Sequence, residues 1–442
     1  MADGTITLKS GGSAATVDVG PAFETTARVN LRTDIWADSV TIENTGSGSA
    51  VVNHRGSDHM TISADGNAGG ITIRNKSADN ATLVVGLTED QKDSGARVAV
   101  MDLITYGAPV IIENQDAAGT VMDIKNHGAI MMQMGNGIPA QITGNIFVDN
   151  GSQICLTIGG DGFVHADTLK LTNGSISDIE TFGTSTWSNR DGTGNTQAAA
   201  DGVGSILSMI AMGHSTINAD GVVSNGAVGG FHSDDYGIRN GDTTITGEGF
   251  AYDTRIPSES YTYINGHGQV NGNQYTKEGA KNTVYVMDDG TLTGNVVSDG
   301  VGKLDGTPSV TMVGSGANAV INGDLTASNS GMMTGLIMQK SVENGNVYAV
   351  SGGKVTYYLS GQDAQFPTLN GDFVSESGGS ITASMNGRWN GASTVSGGTT
   401  DVTFIDANAV WNVTRDSELT NFPQGAGTVN FPAAASGFTG TT

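Results

Sequence analysis

Gly345-Asn346-Val347-Tyr348 runs into Ser351-Gly352-Gly353-Lys354-Val355, and Gly371-Asp372-Phe373-Val374 runs into Ser377-Gly378-Gly379-Ser380-Ile381. The same phrase stands twice before them. Gly294-Asn295-Val296-Val297 precedes Asp299-Gly300-Val301-Gly302, and Gly323-Asp324-Leu325 precedes Ala327-Ser328-Asn329-Ser330-Gly331. The openings lie 29, 22 and 26 residues apart. A short apolar strand, a Gly/Ser/Asn turn and a second strand, returning at that interval, mark a stacked β repeat. One such unit cannot bury its apolar side alone, so successive units stack and the core runs from one to the next.

Upstream the cadence is simpler: apolar residues alternate with polar ones and the run ends in Asn. Val40-Thr41-Ile42-Glu43-Asn44, Ile71-Thr72-Ile73-Arg74-Asn75, Val110-Ile111-Ile112-Glu113-Asn114 and Leu169-Lys170-Leu171-Thr172-Asn173 show it. Alternation predicts half-buried strands, and Asn closes them because it tolerates a left-handed turn. Asn126, Asn150 and Asn173 are spaced by 24 and 23 residues, one coil of a parallel β-helix, so their amides are expected to stack as a ladder. Hairpin signals are not systematic. With about 23 residues per coil and strands 4.7–4.9 Å apart, roughly 19 coils make a rod on the order of 90 Å long. The expected fold is therefore all-β: a parallel β-helix, or β-solenoid, forming a single elongated rod with loop insertions.

Composition agrees. Gly is 66 of 442 residues, about twice the usual ~7%, and Pro is 8, which excludes collagen and Pro-rich linkers. Net charge is −24, so nucleic acid and direct binding to anionic lipid are not expected as partners. The single cysteine, Cys155, allows no internal disulfide and is read as a small buried hydrophobe. No apolar run approaches the ~18 residues of a membrane span and no signal peptide opens the chain. Met1-Ala2-Asp3-Gly4 and Gly437-Phe438-Thr439-Gly440-Thr441-Thr442 read as the ends of a segment cut from something longer.

Between 176 and 289 the cadence breaks. The stretch 197–214 is the one helix-like run, clustering Ile206, Leu207, Met209, Ile210 and Met212, although Gly202, Gly204 and Gly213 weaken it. The stretch 231–285 is rich in aromatics and is a candidate subdomain. Tyr236, Arg239, Tyr252, Tyr261, Tyr263 and Tyr275 are its candidate binding residues, since exposed Tyr and Arg are favoured at binding hot spots. The bland alternative makes these tyrosines ordinary strand residues. The expected organisation is N-terminal rungs over 1–175, irregular rungs with loop excursions over 176–289, and regular rungs over 290–442.

Near the C-terminus Ala409-Val410-Trp411-Asn412-Val413-Thr414-Arg415-Asp416-Ser417-Glu418-Leu419-Thr420-Asn421-Phe422 is followed by Gly427-Thr428-Val429-Asn430-Phe431. This resembles the Trp-Asn-Val-Thr-x-Asp-Ser-x-Leu-Thr-Asn segment of bacterial type V autotransporter passengers, of the pertactin-like and self-associating adhesin type. Arg415 stands where that family has a small residue. The motif covers about the last 150 residues; before that, composition and cadence agree. The resemblance implies a right-handed parallel β-helix, exported through an outer-membrane β-barrel and displayed on the surface of a diderm bacterium or secreted after cleavage. It implies that the C-terminal rungs approach a truncated autochaperone region. It implies adhesion to a host glycan or extracellular-matrix protein, or self-association between cells in aggregation and biofilm, with no cofactor.

One enzyme alternative is a polysaccharide-degrading, polygalacturonase-like β-helix. Ser233-Asp234-Asp235 and Gly266-His267-Gly268 are similar to two of its motifs, whose carboxylates do acid/base work. The Asn-Thr-Asp and Arg-Ile-Lys motifs that should flank them are missing, so no catalytic residue is expected. His54 and His59, with Arg55 and Asp58 between them, are read as a solvated loop, and Met131, Met132 and Met134 as packing residues. No metal site is expected.

Overall fold

A computed structural model describes residues 5–10, 15–19, 32–37, 39–44, 50–55, 59–64, 70–92, 98–105, 108–134, 139–301, 307–362 and 364–432. The two chain ends, Asp58 and Gly302 lie outside the described residues. The fold is a parallel β-solenoid. It forms two compact units, one of Met1–Gly230 with Gly237–Asn240 and Gly249–Thr254, the other of Phe231–Tyr236, Gly241–Glu248 and Arg255–Thr442.

Each unit is built from three ladders of short parallel strands, and each coil gives one strand to each ladder. In the first unit, Ile42, Ile73, Ile112, Ile142, Val164, Trp187 and Ile217 follow one another in register down the inside of one ladder. The second ladder stacks Val52, Leu83, Met122, Ile146 and Leu169 inward, and the third Met60, Met101, Ile130 and Ile154. All these side chains are buried. Burying each aliphatic is worth about 1.5–3 kcal/mol, and in-register stacking repeats that gain at every rung.

The second unit follows the same plan with larger side chains. Leu292, Ile321, Glu343, Leu369, Trp389 and Trp411 form its first inward column. The Trp389 and Trp411 rings stack at 4.4 Å, and Phe373 lies 4.5 Å from Trp389. Each indole N–H donates to a carbonyl of the rung before it, Trp389 to Gly371 and Trp411 to Gly391.

The repeated Gly-Asn/Asp phrase is explained by one corner of this unit. The side-chain oxygen of each Asn or Asp accepts the backbone N–H of its equivalent one coil on: Asn295 from Asp324 at 2.9 Å, Asp324 from Asn346 at 2.7 Å, and Asn346 from Asp372 at 2.9 Å. The preceding glycine is needed because a Cβ on Gly371 would stand 1.8 Å from the carbonyl oxygen of Gly345. At the next corner Ser351-Gly352 and Ser377-Gly378 both take positive φ, which turns the chain in two residues.

Several expectations are corrected. The helix-like stretch 197–214 is two strands, Thr196–Asp201 and Ile206–Met212. Leu207, Met209 and Ala211 alternate inward with period two, and Gly202 and Gly204 turn the chain at φ 88° and 82°. The Asn ladder forms between Asn126 and Asn150 (2.8 Å), but Asn173 donates instead to Asp149, at 2.7 Å. A longer ladder links Asn322, Asn344, Asn370, Asn390, Asn412 and Asn430, each amide donating to the one before it. Cys155 is not in the core: Ile154, Leu156 and Ile158 take the inward positions and leave it half-buried on the outside. His54 is a buried strand residue, and His59 opens a strand where Nε2 pairs with Asp102 at 2.6 Å.

Candidate recognition face

The outward side of the third ladder in the second unit is where exposed aromatics collect. Glu259–Ile264 and Lys281–Val286 pair in register, so Glu259 lies beside Lys281, Tyr261 beside Thr283 and Tyr263 beside Tyr285. Alternation sends these six outward while Ser260, Thr262, Ile264, Asn282, Val284 and Val286 are buried. The ladder continues through Val310–Ser315, Met332–Met338, Lys354–Ser360 and Ser380–Asn386. It adds exposed Val310, Met332 and Tyr358 and half-buried Met312, Thr334, Leu336 and Thr356.

Local chemistry orients the rings. The Tyr261 hydroxyl donates to Glu259 Oε2 at 3.2 Å, and Lys281 Nζ donates to Glu259 Oε1 at 3.0 Å. The Glu259 charge pushes the Tyr261 phenol up from its ordinary pKa, so it stays a donor. Tyr285 leans onto its in-register neighbour Gly314, where an added Cβ would meet the ring edge at 2.9 Å. Any larger residue at 314 would tilt that ring. His232 lies 6.0 Å from the Tyr263 ring.

The electrostatics of the face are unlike those of the chain. From Glu259 to Phe404 its outward charged residues are Glu259, Lys281, Lys354 and Asp401. Two acidic and two basic groups cancel, whereas the whole chain carries −24.

The six sequence-derived candidates are not one site. Tyr261 and Tyr263 lie on this face. Tyr275 is half-buried on the second ladder, with Lys277 Nζ 5.3 Å from its ring centroid. Tyr236 sits in a turn with its ring stacked on His267, at 4.7 Å and 12°. Tyr252 belongs to the first unit and is fully exposed in a turn at φ 48°. Arg239 cannot contact a ligand. It is an inward residue in register with Ile217, wholly buried, and its Nη2 donates to the Ala219 carbonyl at 3.3 Å. The candidate set omits Met332, Tyr358 and also Tyr285, although Tyr285 ends the aromatic-rich stretch 231–285. The signal that could have found the two tyrosines is the outward spacing shared by Tyr261-x-Tyr263, Thr283-x-Tyr285 and Thr356-x-Tyr358.

The Asp235 and His267 of the enzyme alternative lie in stacked turns, the Tyr236 N–H donating to the Gly266 carbonyl at 3.3 Å. One face of the His267 ring is taken by Tyr236. Asp234 Oδ1 is turned to its own backbone, accepting the Asp235 N–H at 3.0 Å. The Cys155 thiol is pushed up by burial and by the charges of Asp178 and Glu180, which suppresses the thiolate.

No helix among the described residues is long and apolar enough to cross a membrane. No family model matches the chain, and no curated protein matches it in sequence. A similar solved structure is the crystal structure of a TibC-catalysed, hyper-glycosylated TibA fragment. It is 13% identical over 96% of this chain and 98% of that one, with a TM-score of 0.22.

Proposed function

We propose that this chain is the β-helical passenger of a type V autotransporter, carried on the surface of a diderm bacterium or released from it, and that it acts as an adhesin rather than an enzyme. The C-terminal segment supports the family reading. Trp411 of the resembling motif is an inward core residue, and Asn412 beside it extends the Asn ladder. The observation that carries the adhesive role is the charge-balanced, tyrosine-bearing outer face of the second unit. Mutual repulsion of −24 chains opposes contact between acidic surfaces, and on this face the charges cancel; the outward strand residues of the first ladder in the same unit carry no acid either, so it is the exposed tyrosines that set this face apart. Tyr and Met supply contact area with little charge to desolvate. The partner is a host glycan or matrix protein, or a second copy of the chain on another cell, where weak contacts of about 0.5–1.5 kcal/mol each add up by avidity.

The test is bead clumping at physiological and raised salt, with glycan and matrix-protein panels run in parallel. Wild type should clump beads or capture a panel member. The combined variant Y261A, Y285A, Y358A should lose that activity with unchanged circular dichroism, because all three side chains point outward. Retained activity in the triple variant would move recognition off this face. No clumping and no capture by wild type would remove the adhesin reading.

A further inference from the structure

Glu343 is wholly buried in the second unit, on strand Val342–Asn344, in register between Ile321 and Leu369. Its Oε2 accepts the Tyr357 hydroxyl at 2.7 Å, and its Oε1 has no hydrogen-bond partner. Tyr357 is also wholly buried, its ring edge-on to Phe373 at 5.5 Å. Its in-register neighbour one coil back is Gly335, where an added Cβ would come within 2.8 Å of the ring. The groups that act electrostatically on Glu343 are Tyr357, from the third ladder, and Asp324, from the corner before Leu325; the second is itself an acid. No lysine or arginine among the described residues pairs with it. A carboxylate with one bare oxygen, no cation and an apolar surround is a poor occupant of this place, whereas a neutral carboxylic acid is a good one.

The strand that holds Tyr357 inward holds Lys354, Thr356 and Tyr358 outward on the recognition face. We propose that Glu343 is a proton-operated latch for that face: protonated, it lets the rung close on Tyr357; ionised, it loosens Lys354–Ser360 and the outward residues the strand carries. What the latch controls rests on the proposed recognition role, but the latch itself does not.

Burial holds the Glu343 carboxyl up at about 8 against an ordinary value of 4.5. A folded-state pKa above the open-state one means that the closed rung binds the extra proton. Its advantage is complete below pH 4.5, declines as pH rises toward about 8, and is constant above that. Opening of the rung should therefore rise by up to about tenfold per pH unit inside this window.

The experiment is hydrogen exchange of the Lys354–Ser360 amides from pH 5 to 9.5, corrected for the intrinsic exchange rate, with Gln153–Ile158 of the first unit as internal reference. Wild type should show opening that climbs with pH and levels near pH 8, with no such climb in the reference strand. E343Q should give a flat profile. Y357F, which keeps the ring but removes the hydroxyl that favours the ionised acid, should move the levelling point to higher pH; it also serves if E343Q fails to fold. Parallel profiles in wild type and the variant would overturn the latch. Clumping and ligand capture measured at pH 6.5 and 8.5 separate the two claims. A pH-dependent rung in a chain that binds nothing leaves the latch and removes the recognition role. Binding by a chain whose rung opens independently of pH does the reverse.

Discussion

Gly371 has no room for a side chain: a Cβ there would overlap the Gly345 carbonyl, and one at Gly345 would come within 2.0 Å of the Gly323 carbonyl. Gly371→Ala should therefore cost about 1–3 kcal/mol or more, read as a lowered urea midpoint by tryptophan fluorescence. Asp372 beside it does two jobs. Oδ1 accepts the Ala392 N–H at 2.6 Å, and Oδ2 pairs with the Arg415 guanidinium. Arg415, the residue that departs from the segment this stretch resembles, thus ties the last coils to an earlier corner. Asp372→Asn keeps the backbone bond and should be nearly neutral, whereas Asp372→Ala should lose about 0.5–1.5 kcal/mol in the same unfolding experiment. The glycines and the Asn/Asp residues were legible in the sequence because the stacking constraint repeats them. Arg239 and Cys155 were not. Whether a residue faces in or out depends on the register its coil takes with its neighbours, and a one-residue slip reverses every side chain.

At the scale of the strand, period-two alternation sets which side chains point inward. The strands Ile71–Asn75, Val110–Asn114 and Thr168–Thr172 follow directly from it. Over 206–212, Leu, Met and Ile at neighbouring positions imitate a helical face, yet Leu207, Met209 and Ala211 are the inward set. The candidate face is hidden in the sequence for a related reason. Coils of 22, 26 and 29 residues differ in their turns, so the sequence alone does not show which tyrosines share a column. The Asn ladder offers a test at this scale. Asn390 both donates to Asn370 and accepts from Asn412, while Asn430 is joined to the ladder through its donation to Asn412. Asn390→Ala should destabilise the second unit about twice as much as Asn430→Ala, at roughly 0.5–1.5 kcal/mol per bond. Equal costs would mean that the amides contribute singly rather than as a ladder.

The chain carries a large negative charge, yet the outward strand residues of the third ladder in the second unit balance in charge. Net charge keeps such chains soluble and apart, and a neutral patch turns that repulsion into selectivity for where contact occurs. Raising salt within the range that screens surface charge should strengthen clumping if two acidic chains must approach, and leave capture of a neutral ligand little changed. The three-ladder architecture separates duties: inward columns supply stability, the corner ladders fix the coil, and the outward side of the third ladder is the one proposed for partners. Charge was legible from composition, but its even distribution across Glu259, Lys281, Lys354 and Asp401 became visible only when the rungs were in register.

The most direct measurement places charge on that face and nowhere else. Thr334 and Thr356 are in-register outward neighbours on the third ladder. Thr326 and Thr394 are outward on the second ladder. Clumping and ligand capture should be lost in the T334E/T356E variant and kept in T326E/T394E, with equal added charge and equal thermal stability in both. Equal loss in the two variants, or loss in the second alone, would contradict the assignment of recognition to the third ladder.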